Sequence, residues 1–196
     1  MACASAPNDK SDPYDLKRFV LAQEDVYEQS LSEIKSGSKR SHWMWYIFPQ
    51  FDGLGFSPTS IRYSIKSVAE AKAYLKHPVL GTRLRESAEA ALCVEGRSAY
   101  EIFGSPDDMK LKSCATLFAC VSPAGSVFEQ LLDKYFQCER DQKTLRLLGR
   151  IPDGKESFRV LFGTTDDESN MSNRVAGSSP AHTPSGMGGQ TSRCLR

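Results

Sequence analysis

Residues 105–136 read SPDDMKLKSCATLFACVSPAGSVFEQLLDKYF, and the spacing of their apolar side chains decides the fold class. In the second half, Val127, Phe128, Leu131, Leu132, Tyr135 and Phe136 recur at three- and four-residue steps, which places them on one helical face. Each half opens with Ser-Pro, a capping side chain ahead of a proline suited to the first helical turn. The pattern predicts helices over 106–121 and 123–137. Working outward, Asp12-Pro13 and Ser57-Pro58 repeat the start signal, and Ser67/Glu70 and Ser98/Glu101 have capping-box spacing. A first helix is expected from Pro13 to about Ser36, striped by Leu16, Phe19, Val20, Val26, Tyr27, Leu31 and Ile34, with Gly37 as its stop. Others fit 58–65, 68–76, 78–93, 99–103 and 142–148, the last closed by Gly149. Period-two alternation is nearly absent. Its exception, Trp43 to Phe48, reads as a short strand or a buried extended segment. The expected fold is all-α, about seven or eight helices within 12–149, with Leu117, Phe118, Phe128, Leu131 and Leu132 in the core.

The ends read differently. Residues 1–11 are small and polar, and a flexible N-terminus is expected. From Thr164 the composition turns to Ser, Gly, Thr, Pro, Asn and Asp, which buries too little apolar surface to offset its ordering entropy, so 164–196 is expected to be disordered. Between them, 150–163 carries the short apolar run Arg159–Phe162 and is expected to dock on the domain.

The whole chain is 196 residues, 40% hydrophobic and 25% charged, with net charge +1. That balance argues against a generic electrostatic nucleic-acid binder. No run approaches the ~18 apolar residues of a membrane span. Met1 to Asp12 lacks an apolar signal core, so a cytoplasmic location is expected. The six cysteines show no C-x-x-C or partner-histidine spacing, and they read as reduced thiols with no structural metal.

GSKRSHWMWYIFPQFDGLG, residues 37–55, is the densest stretch in chemistry-bearing groups. Lys39, Arg40 and His42 lead into Trp43, Trp45, Tyr46, Phe48 and Phe51. Arg40 suits bidentate contact with a phosphate or carboxylate, an indole suits stacking on a base, and His42 is the candidate acid or base. The alternative is that the aromatics are core and the two cations are solvated. Asp107 and Asp108 suit a magnesium ion or acid–base work, but they also fit the first turn of a helix, where acids favour the dipole. Adjacent helical residues diverge by about 100°, which disfavours a metal shared by that pair alone. His77, ahead of Pro78, reads as a linker residue. G-x-S-x-G, Walker and G-x-G-x-x-G patterns are absent.

KRSHWMWYIFPQ (39–50), HPVLGTRL (77–84) and IFGSPDDMKLKS (102–113), in this order, resemble domain-of-unknown-function family 1810. Bacterial members of that family sometimes carry the label calpastatin. Calpastatin inhibitory segments are disordered repeats, whereas nothing in this chain repeats. The resemblance covers about 12–149 and departs at Cys114, where a small polar residue is expected. It implies a small all-helical fold and brings no activity, cofactor or catalytic residue.

Two functions follow as expectations. One is binding of, or action on, a small anionic or nucleotide-like ligand by Arg40, His42, Trp43, Trp45, Gln50 and Tyr63, with the 105–113 helix start nearby and His42 as base in a hydrolytic version. The other is a non-enzymatic protein-interaction module. No cofactor, membrane or nucleic-acid partner is expected.

Overall fold

The structure is a computed structural model that describes residues 12–149, all within one compact unit. The expectations for 1–11, 150–163 and 164–196 lie outside the described residues. Ten helices run in order: α1 (Lys17–Gln23), α2 (Tyr27–Lys35), α3 (Met44–Ile47), α4 (Pro58–Arg62), α5 (Val68–Lys76), α6 (Leu80–Leu92), α7 (Ala99–Phe103), α8 (Asp107–Ala119), α9 (Val127–Phe136) and α10 (Gln142–Gly149). Among the described residues no strand forms; a parallel bridge joins Phe51 to Ile65. The fold is all-α.

Ten helices stand where seven or eight are read, for two reasons. The span 13–36 breaks at residues 24–26 into α1 and α2. Its buried positions, Leu16, Phe19, Gln23, Tyr27, Leu31 and Ile34, keep helical phase across the break, so periodicity could not reveal it. The segment 43–48 is also a helix and not an extended strand. Trp43, Met44, Ile47 and Phe48 are its buried residues, a four-residue repeat that short alternation imitates.

Capping accounts for most starts. Asp12 takes the amides of Leu16 and Lys17 at 2.8 and 2.9 Å. Ser57 accepts from Ser60 N at 3.1 Å, and Ser98 with Glu101 completes a capping box. The Ser105 and Ser122 signals are displaced: α8 starts at Asp107 and α9 at Val127, and neither has a side-chain cap bond. His77 Nδ1 accepts from Val79 N and Leu80 N, both at 3.2 Å, so this histidine caps α6.

Helix α8 lies at the centre, packed on α7, α9 and α10, with Leu117, Phe118, Phe128, Leu131 and Leu132 buried as expected. Arg18 ties α1 to the α4–α5 region, donating to the carbonyls of Tyr14, Asp15, Arg62 and Ser64 and to the Glu70 carboxylate. Gly81 is where α6 meets the end of α5. A Cβ there would stand 2.1 Å from the Leu75 carbonyl oxygen, so a side chain forces the helices apart.

Leu117→Ala should cost about 2–5 kcal/mol in urea denaturation, because the side chain is fully enclosed and leaves a cavity. Gly81→Ala should cost at least about 1–3 kcal/mol through overpacking, and an unchanged midpoint would show that the α5–α6 contact can relax.

Candidate functional site

The loop after α2 is organised by Glu33. Its buried carboxylate accepts five hydrogen bonds, from Arg40 N, Ser41 N, Ser41 Oγ, Trp43 Nε1 and Gln29 Nε2, at 2.7–3.1 Å. Burial alone would raise its pKa, but these donors outweigh that and lower it to about 2. The turn sends Trp43 into the core at 1% exposure, ringed by Phe48 and Phe103. Trp43 is therefore not open for stacking on a ligand.

Trp45 comes to the surface, half-buried. Its ring edge lies 3.2 Å from the position a Gly55 Cβ would take, so the absence of a side chain at 55 lets the loop close over the indole. Lys110 Nζ, from the first turn of α8, sits 4.2 Å from the Trp45 ring centroid. The same ammonium donates to Asp107 Oδ1 at 2.7 Å, and Asp107 Oδ2 meets Lys39 Nζ at 2.7 Å. Lys39 also donates to Ser41 O at 2.7 Å and lies 5.0 Å from the Trp43 ring centroid. Burial raises the Asp107 pKa, yet the two lysine hydrogen bonds hold it below the usual carboxylate range. Asp107 is thus an ion-pair bridge between Lys39 on the loop after α2 and Lys110 on its own helix, beyond its role as a helix-start acid.

The remaining candidates lie between residues 40 and 63. Arg40 and His42 are exposed, and their side chains bond to no described residue. Tyr46 donates its hydroxyl to His42 O at 2.7 Å, and its ring meets Tyr63 edge-on at 5.3 Å. Gln50 O accepts from Ile65 N at 2.9 Å, which folds 50–52 back beside 64–66 next to Tyr63. The Gln50 side chain is buried, and its Nε2 has no acceptor among the described residues. His42, Trp45, Gln50 and Tyr63 therefore belong to one folded-back segment, with Arg40 at its entrance. Sequence reasoning missed Glu33, Lys110 and the inward course of Lys39. Lys39 and Lys110 act on residues more than sixty positions away, and Glu33 acts across an irregular loop, so neither helix nor strand periodicity carries a sign of them.

Among the described residues, no group of three or more His, Cys, Asp or Glu is placed to hold a metal ion. Cys114 and Cys120 are buried and Cys93 is exposed, none of them in a disulfide. Burial pushes the Cys114 thiol well up.

The family model described as "Protein of unknown function (DUF1810)" matches residues 13–148. The chain belongs to that family. All three sequence blocks that carry the resemblance fall inside the match. The crystal structure of a conserved hypothetical protein from Mycobacterium tuberculosis is similar at 51% identity, with a TM-score of 0.68, covering 69% of this chain and 97% of that one. No curated protein matches. The family assignment leaves the function uncharacterised, so the site has to be argued from its own geometry.

The Glu33 carboxylate gives a signed pH test. Its pKa falls from an ordinary 4.5 to about 2 on folding, so its stabilisation is complete above the unfolded value and is lost as pH drops through the window from 4.5 to 2. The loss should be on the order of 3 kcal/mol from that shift. In Glu33→Gln, urea midpoints should be lower at pH 7 and should lose much of this acid-limb slope. A variant that follows the parent across the window would remove Glu33 from the account.

Proposed function

We propose that the corner formed by residues 39–63 and the start of α8 binds a small anionic, nucleotide-like molecule. Trp45 supplies the stacking face, Lys110 and Arg40 the cations, and His42, Gln50 and Tyr63 the surrounding polar and aromatic groups. The observation that carries this reading is Lys110 laid on the half-buried Trp45 ring while sharing Asp107 with Lys39. Two ammoniums share one carboxylate, and Lys110 spends only one of its donors on it. An anion next to an aromatic plate completes such an arrangement. In a hydrolytic version His42 is the base and Arg40 orients the substrate. The reduced thiols Cys93, Cys114 and Cys120 are in keeping with a cytoplasmic protein. Among the described residues no helix is long and apolar enough to cross a membrane.

A second reading, a protein-interaction module, is favoured by Phe56, which is 88% exposed beside the Trp45–Gly55 contact, with Ile61 half-exposed on α4.

A thermal-shift screen of the full chain against nucleotides and phosphorylated metabolites separates the two. A ligand at 100 times its Kd should stabilise by about 2.7 kcal/mol. Arg40→Ala and His42→Ala should each keep stability within about 0.5 kcal/mol of the parent, as for exposed side chains, and weaken the hit. A hit that binds both variants as tightly as the parent would reject the pocket. A blank screen would leave the interaction module ahead.

A further inference from the structure

We infer that Gln50 and Asp108 form a donor–acceptor pair that reads the polar edge of a planar group, an amide or a nucleobase. The inference rests on the ligand site proposed above and names the part of the ligand that this site would select. Gln50 is 5% exposed, and its Nε2 is sealed from solvent with no acceptor. Asp108 Oδ1 is sealed with no donor among the described residues. Such atoms are uncommon in a folded protein and call for a specific reason. Here the two are of opposite sense, one offering a proton and the other requiring one.

Their segments meet through a ring contact. Phe48 and Phe103 stand edge-on at 6.1 Å, which brings the chain just before Gln50 against the chain just before α8. Asp108 N donates to Gly104 O at 2.9 Å, so the backbone turns into the first helical turn directly after Phe103. Ile65 N holds Gln50 O from the other side at 2.9 Å. Lys110, two residues beyond Asp108, covers Trp45, five residues before Gln50. The two segments that meet there carry between them a proton donor, a proton acceptor, an aromatic plate and an ammonium with donors to spare. A nucleobase or carboxamide edge presents an acceptor beside a donor. Its plane suits Trp45, and an attached phosphate suits Lys110. A bare anion satisfies Lys110 and leaves both orphaned atoms as they are.

The test titrates the full chain calorimetrically with AMP, GMP, CMP and UMP, and with ribose 5-phosphate and inorganic phosphate as base-free probes. At least one nucleotide should bind tenfold or more tightly than ribose 5-phosphate. Gln50→Met and Asp108→Leu should each erase that advantage, so that the nucleotide binds a variant no more tightly than ribose 5-phosphate binds the same variant. Without ligand, Gln50→Met should melt at or above the parent, because it removes a donor that has no partner. If ribose 5-phosphate binds as well as the nucleotides, and neither variant matters, the anion site stands and the edge-reading pair is overturned. If no probe binds, both readings fall. If Gln50→Met melts several degrees below the parent, the amide has a partner in the unliganded protein, and the pair is overturned whatever the ligands do.

Discussion

The Glu33 carboxylate is enclosed with no cation bonded to it among the described residues, and the course of residues 38–43 depends on the donors it gathers. Removing an ion from water costs several kcal/mol after relaxation, so such a group is tolerated only when its oxygens are saturated. Hydrogen bonds to a charged group contribute about 1.5–3 kcal/mol each, enough to offset that cost when several converge. The chain supplies them from backbone amides, a serine hydroxyl and an indole, and this sets the turn. With the turn set, Trp43 faces inward, Arg40 and His42 face outward, and Lys39 is aimed at Asp107.

That dependence explains which features can be read from residue order. Helix class, the α9 stripe and the α7 capping box follow from local rules, because a cap or an apolar face is decided within a few residues. The break between α1 and α2 escapes those rules because the apolar phase runs straight through it. Its cause is tertiary: Gln23 is drawn inward to Tyr46 O at 2.7 Å and to the Tyr74 hydroxyl at 3.1 Å. The Trp43–Phe48 segment misleads for a related reason, since a single helical turn is too short for its period to be told from alternation.

The site divides along the same line. Arg40, His42, Trp45 and Gln50 stand out by residue type in one dense stretch, and the fold-back of 50–52 on 64–66 sets Gln50 beside the segment that carries Tyr63. Trp43 resembles Trp45 in sequence and differs in fate, because only Trp43 has a carboxylate waiting for its indole N–H. Lys110 looks like an ordinary helix-surface charge until the 39–45 loop arrives beneath it. What distinguishes a ligand group from a structural one here is which long-range partner each has already taken.

Helix α8 carries the two aspartates and Lys110 on its first turn and the residues from Ser113 to Ala119 inside the core. Asp107, Asp108 and Lys110 are therefore mounted on a deeply packed helix. Shifting them by an ångström would move side chains that have no free volume to move into. Under the binding reading proposed above, this end of α8 is rigid before a ligand arrives, so little ordering entropy is lost on association. The same rigidity works against an approximate fit, and it makes shape at this corner a stricter filter than charge.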